Sequence, residues 1–313
     1  MAGLQNIGRA SREPAVFEPY SLFHNGEPMT MAAYGGIPPG PHGEEGMGAG
    51  HQSEEEPSKE EPSEEELREE ELNGGNASAR VVRVGSTVRK PWSPTSDSTV
   101  SYLRTLHRRG IDVPLGRGRD ARGRLVLDYV PGSLAMEGAP LGPDLVHRIG
   151  ALVRRIHDAS TGVPLDGRWD VLIPAERPDL LCHNDLATWN LVIDGDRLVF
   201  IDWDGAGPST RLWDLAYAAV SFAHLFPGAD VHDSARRLAA FVDGYAAGGE
   251  LRQALPDTMV RRAAAMHDLL RRSHESGRQP WGTMYVTGHG DHWAGTTRFI
   301  DEHTDDWCRA LTR

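Results

Sequence analysis

Residues 180–207, LLCHNDLATWNLVIDGDRLVFIDWDGAG, set one histidine, five aspartates and two asparagines at the edges of a run otherwise written largely in Leu, Val, Ile, Phe and Trp. The turn signal Asp194-Gly195-Asp196 between apolar stretches 191–193 and 198–201 predicts two antiparallel strands. A hairpin of that register returns Asp202 to the side of Asn190, with Asp185 in the loop just before the first strand. Oxygen-bearing side chains gathered at the open end of an apolar hairpin suit magnesium, a hard ion that keeps several waters and takes one or two protein carboxylates plus substrate phosphates. Ordinary turn chemistry accounts for Asp194 and Asp196. It does not readily place Asp185, Asn190 and Asp202 at three matched positions.

The order and spacing of His183, Asp185 and Asn190 in HNDLATWN, followed by Asp202 in FIDWD, resemble the catalytic segments of the aminoglycoside phosphotransferase and choline kinase-like families. These are relatives of the protein kinases, whose H-R-D-L-x-x-x-N and D-F-G signatures they modify. The resemblance runs from about residue 74 to about residue 224 and is strongest between residues 181 and 217. It implies an α+β, two-lobed protein kinase-like fold, with a small sheet-containing N-lobe, a mostly helical C-lobe and a cleft between them. It also implies an enzyme, an ATP- and Mg2+-dependent phosphotransferase that moves the γ-phosphoryl group to a hydroxyl of a small molecule. In that scheme Asp185 orients and deprotonates the acceptor hydroxyl, while Asn190 and Asp202 hold magnesium against the nucleotide phosphates. His183 supports the loop. Asp204 is either a second metal contact or a structural acid, and Asp214, in RLWDLAY, either braces the catalytic loop or caps a helix. An aminoglycoside antibiotic is the family-level expectation for the acceptor. A macrolide, a choline-like alcohol, a sugar, a Ser or Thr of a precursor peptide, or a catalytically silent binding or immunity protein of the same fold are the alternatives.

The N-lobe offers a nucleotide grip. Segments 81–84 and 87–90 read as two short strands joined by a tight turn at Gly85 and Ser86. Strand alternation puts Val88 and Lys90 on one face, as in the kinase strand whose lysine reaches the α- and β-phosphates. Lys90 is the single lysine after residue 71, and the competing account is a plain surface charge. Gly74 and Gly75 either let backbone amides approach phosphates or end a flexible linker. Backbone groups near Tyr129 and Val130, in LDYVPGS, fit the hinge that would hydrogen-bond adenine; a strand end before a turn would look the same. Two departures from the family pattern stand out. The helix expected in SPTSDSTVSYLRTLHRRG contains Asp97 but no glutamate to pair with Lys90. Asn184 replaces the glycine usual in that loop, an exchange expected to be tolerated because asparagine accepts left-handed backbone angles.

Composition sets the boundaries. The net charge of −12 belongs to a tail: residues 1–71 carry 4 basic and 16 acidic residues, and the remaining 242 carry 29 of each. That tail, rich in Glu, Pro and Ser, is expected to be disordered, and nothing specifies a protein partner for it. Residues 72–131 are then the nucleotide-binding N-lobe and residues 132–313 the catalytic and substrate-binding C-lobe, with the joint at Pro131 and Gly132. A neutral folded part argues against a nucleic-acid footprint, and no apolar run reaches the length of a membrane span. Without a recognisable secretory leader, a cytoplasmic location is the default expectation. Cys182 and Cys308 are too few for a disulfide framework or a zinc cluster.

Overall fold

The computed structural model describes residues 68–72 and 81–312. Its N-terminal lobe is an antiparallel sheet of β1 (Glu69–Glu71), β2 (Val82–Val84), β3 (Thr87–Lys90), β4 (Gly116–Arg119) and β5 (Leu125–Asp128), in spatial order β1-β2-β3-β5-β4. The expected turn joins β2 to β3, with Gly85 at φ 57°. β1 corrects the expected tail, whose last three residues are not disordered but form an edge strand on β2. Charge explains this, since the Glu69 carboxylate accepts hydrogen bonds from Arg122 and Arg124, each at 2.8 Å. The sequence also gives little sign of β4. Its residues, Gly-Arg-Gly-Arg, lack the alternation of polar and apolar side chains that marks a strand.

Helix α1 (Ser96–Arg108) lies between β3 and β4 and ends at Gly110, whose φ of 81° suits a glycine stop. Its buried side is Thr99, Tyr102, Leu103 and Leu106. The Tyr102 hydroxyl shares a hydrogen bond with Ser160 Oγ at 2.6 Å and donates to the Leu181 carbonyl at 2.8 Å. One helix of the N-lobe is thereby anchored in the C-lobe, and a single apolar core runs through both.

At the expected joint, Gly132 has φ 132°, and a Cβ there would lie 2.5 Å from the Ile193 carbonyl oxygen. Only glycine fits that combination. The chain then enters β6 (Ser133–Leu134) and α2 (Pro143–Ser160), whose stripe Ile149, Leu152 and Ile156 is buried as its spacing requires. Next come β7 (Leu180–Cys182), the hairpin β8 (Leu191–Asp194) and β9 (Arg197–Phe200), and β10 (Gly207–Ser209), which pairs with β7. The remainder is helical: α3 (Arg211–Phe222), α4 (Val231–Gly244), α5 (Gly249–Ser276), α6 (Trp281–Met284), α7 (Gly290–Glu302) and α8 (Thr304–Leu311). Among the described residues no helix is long and apolar enough to cross a membrane. Cys182 is buried, Cys308 is exposed, and both are free thiols.

Candidate active site

The hairpin has the register that its turn demands. Leu191 faces Phe200, Val192 faces Val199 and Ile193 faces Leu198. The ladder continues one rung further, where Ile201 donates its N–H to the Asn190 carbonyl at 2.9 Å. Asp202, the next residue, therefore leaves the hairpin beside Asn190. It does so with φ 56° and ψ 63°, a left-handed conformation that few side-chain-bearing residues adopt and that turns the chain abruptly into the helical turn Trp203–Gly205.

Asp185 stands in the loop between β7 and β8. The side-chain amide of Asn190 donates to Asp185 twice, to its carbonyl at 2.9 Å and to its carboxylate at 2.8 Å. Both bonds use Nδ2, which leaves the Asn190 amide oxygen on the other side. Beneath the loop, His183 is fully buried; its Nε2 donates to the Ile201 carbonyl at 3.0 Å and its Nδ1 accepts from the Asp185 amide at 3.3 Å. The ring packs against Trp203, with centroids 4.5 Å apart. These contacts make His183 a support for the loop.

Lys90 is not a surface charge. It is 8% exposed, and its ammonium reaches across the cleft to Asp204 at 2.5 Å and Asp202 at 3.5 Å. Asp204 is thus the carboxylate nearest the ammonium, where α1 has no glutamate to offer. Burial works against the ammonium, but Asp204 and Asp202 together hold its pKa above the ordinary lysine value. The Asp202 carboxyl is itself pushed up, first by burial and then by Asp204 and Asp185, with Lys90 opposing. Two carboxylates on one ammonium, with Asp185 close enough to act on Asp202, leave an excess of negative charge among hard oxygen donors. That is the donor set a divalent ion such as magnesium prefers, so the residues present fit the metal.

Asp214 is buried, 1% exposed, and both of its carboxylate oxygens are engaged. One accepts the Asn184 backbone N–H at 2.8 Å and the other meets His157 Nε2 at 3.0 Å. The cap of α3 is Thr210, which accepts from the Trp213 amide, so Asp214 braces the loop and does not cap the helix. Asn184 has φ 65°, the left-handed angle anticipated for it. It does more than fit, because its side-chain amide donates to the Gly205 and Gly207 carbonyls at 3.1 and 3.3 Å. Asn184 therefore ties the Asp185 loop to the segment that carries Asp202 and Asp204.

Other expectations fare differently. Gly74 and Gly75 lie outside the described residues. The Tyr129 N–H is engaged by the Ser86 carbonyl at 2.9 Å, which removes that group from those expected to meet adenine. The Tyr129 ring carries the Arg83 guanidinium 4.1 Å from its centroid. Val130 is buried in a small apolar cluster with Val192 and Val199, against the partly buried Ile201, on the approach to Asp202. Two residues that sequence reasoning missed complete the surroundings of Asp185. Tyr217 is buried, and its phenol pKa is pushed up first by that burial and then by the nearby Asp185 carboxylate; Arg262, also buried, donates to the Asn184 carbonyl at 3.2 Å. Nothing in VRRAAAMHD distinguishes that arginine from its neighbour.

Residues 97–259, just over half of the chain, match the phosphotransferase enzyme family. The match extends past the point where the sequence resemblance fades, into α5. A trifolitoxin immunity protein from Rhizobium leguminosarum bv. trifolii is 28% identical over 223 residues, spanning 66% of this chain and 84% of that protein. Among solved structures, a choline/ethanolamine kinase family protein from Mesorhizobium loti has a TM-score of 0.55 at 16% identity, over 78% of this chain and 92% of that one. An amicoumacin kinase solved with AMP-PNP and Ca2+ has a TM-score of 0.56, also at 16% identity, over 76% and 88%. The two structures share the kinase-like architecture of a small sheet-bearing lobe and a mostly helical one.

Proposed function

The chain belongs to the phosphotransferase enzyme family, and on that premise we propose that it transfers the γ-phosphoryl group of ATP, with Mg2+, to a hydroxyl of a small molecule. The observation that carries this reading is the meeting of Asp185, Asn190, Asp202, Asp204 and Lys90 at one end of the hairpin, where acids from the C-lobe face a buried lysine from the N-lobe.

Asp185 is the base. Its carboxylate is aimed by the Asn190 amide and is partly exposed, so an acceptor hydroxyl can reach it. It orients that hydroxyl for in-line attack and takes its proton at a carboxylate oxygen as the new P–O bond forms and the bond from the γ-phosphorus to the β–γ bridging oxygen breaks, releasing ADP. Lys90 exchanges its bond to Asp204 for the α- and β-phosphates, which it meets as a compact charge on a flexible stem. Asn190 and Asp202, with Asp204 beside them, would hold magnesium, which when bound supplies neutralisation of the charge on the phosphates. Positioning and electrostatics carry the catalysis, since phosphoryl transfer asks little covalent chemistry of the protein.

Transfer of label from γ-labelled ATP to a panel of acceptors tests this, with aminoglycosides first and macrolides, choline-like alcohols, sugars and Ser- or Thr-containing peptides after them. Labelled product with at least one acceptor, lost in Asp185→Ala, is the expected result. No product from any member, in protein shown to bind MgATP, counts against it. The relative from Rhizobium favours a second reading, an immunity protein of this fold. Protection of a toxin-sensitive strain by Asp185→Ala at the wild-type level would support immunity by binding over immunity by transfer.

A further inference from the structure

Arg262 is one of two cationic side chains buried among the described residues, at 3% exposure; Lys90 is the other. Lys90 has two carboxylates beside it. Arg262 is placed differently. Its guanidinium lies 4.2 Å from the Tyr217 ring centroid and 5.7 Å from that of Trp213, Nη2 donates to the Asn184 carbonyl, and Nε and Nη1 are buried without a hydrogen-bond partner. Burial pulls its pKa below the ordinary arginine value, against the pull of Tyr217, Asp185 and Asp214. A buried guanidinium with unpaired donors destabilises a fold, and an apolar side chain of similar volume is often as good or better at such a place. Stability alone does not explain this residue.

What it touches does. The peptide unit between Asn184 and Asp185 leads directly into the candidate base. The Asn184 backbone is held at its N–H by Asp214 and at its carbonyl by Arg262. The Tyr217 ring under the guanidinium is buried, and its phenol pKa is pushed up first by that burial and then by the Asp185 carboxylate nearby. The Asn184 carbonyl and the Tyr217 ring, both neighbours of Asp185, therefore converge on one side chain from α5. We propose that Arg262 is a positioning residue for the transfer step, fixing the direction of the Asp185 carboxylate through the Asn184 carbonyl and the Tyr217 ring. The proposal rests on the phosphotransferase reading above.

Direction matters more than proximity here, because a displacement of about 1 Å at a reacting group can reduce a rate by as much as about 100-fold. Arg262 donates to the loop and stacks on Tyr217, while Lys90 and the metal-binding side chains keep their own contacts without it. Its loss should consequently lower kcat and leave the KM for ATP nearly unchanged.

The test is MgATP hydrolysis, with water as the acceptor, measured against ATP concentration for wild type, Arg262→Met, Arg262→Lys and Asp185→Ala, with a melting curve for each. The expected result is a fall in kcat of about 10-fold or more for Arg262→Met. Its KM for ATP should stay within about twofold and its Tm should equal or exceed that of wild type. Arg262→Lys, which keeps the charge without the planar fork, should fall between. A kcat within twofold of wild type overturns the proposal, as does a rate loss that only follows a lowered Tm. Should Arg262→Met not fold, Arg262→Gln is read by the same criteria. If wild type and Asp185→Ala hydrolyse MgATP equally, the functional reading fails and takes this proposal with it; an Asp185-dependent rate indifferent to residue 262 sinks the proposal alone.

Discussion

The Asn184 backbone N–H donates to the Asp214 carboxylate at 2.8 Å, joining the start of α3 to the loop that presents Asp185. The second carboxylate oxygen is taken by His157, whose Nδ1 in turn meets the Tyr245 hydroxyl at 2.9 Å. Removing the acid leaves two buried partners unpaired. Asp214→Ala should lower stability by about 3 kcal/mol and reduce any phosphoryl transfer, because the loop loses its brace. Denaturant unfolding measures the first effect, and an unchanged midpoint and slope would show that Asp214 braces nothing.

Lys90 spans the cleft to Asp204 and Asp202. If it exchanges those partners for phosphates, Lys90→Ala should weaken ATP binding by about 10-fold or more, on the scale of a charge-assisted contact of roughly 1.5–3 kcal/mol. Asp204→Ala should weaken it less, since the ammonium retains Asp202. Calorimetric titration of ATP into each variant decides the order of the effects. Equal affinity in all three proteins would mean that the lysine is only a link between the lobes.

Helices α2 and α4 touch backbone to backbone. A Cβ at Gly150 would lie 2.1 Å from the Phe241 carbonyl oxygen, and one at Gly244 would lie 1.9 Å from that of His147. Neither neighbour is the end of a flexible side chain, so the helices must separate. Gly150→Ala should destabilise by about 1–3 kcal/mol or more, in the range of overpacked cores. Its melting temperature should fall by several degrees, and wild-type stability in this variant would refute so close an approach.

Two histidines give stability a pH dependence. His224 and His292 are held down to about 4, in each case by burial first, with Arg237 adding for His224, and His289 and His224 for His292. An unfolded histidine titrates near about 6.5, so between those values the unfolded chain binds more protons than the folded one. Stability is therefore fully present above about pH 6.5 and lost as the pH falls toward 4, by at most about 3 kcal/mol for each group. Melting curves from pH 7 to 4.5 should show a shallower decline for His292→Phe than for wild type. Parallel declines would mean that this imidazole does not carry the effect.

The hairpin and its three polar residues were legible because one turn fixes the register, and register fixes which side chains meet. The pair of strands joined at Gly85 and Ser86 was legible for a similarly local reason. The rest depends on contacts distant in sequence. Arg262 and Asn184 are separated by 78 positions, and no periodicity links them. β1 depends on Glu69 finding Arg122 and Arg124, and Asp204 becomes the partner of Lys90 only once the lobes face each other. Asn184 looked like an exchange to be tolerated, yet its amide joins two loops that the sequence keeps about 20 residues apart.

The proposed function turns on a divalent ion that the carboxylates at the open end of the hairpin would hold against a nucleotide. Calorimetric titration of ATP into wild type and Asp202→Ala, each with Mg2+ and with chelator, tests it most directly. Magnesium should tighten ATP binding to wild type by about 10-fold or more, roughly 1.4 kcal/mol or above, and that gain should vanish in Asp202→Ala. ATP affinity that is indifferent to magnesium in wild type, or a magnesium gain that survives intact in Asp202→Ala, would contradict it.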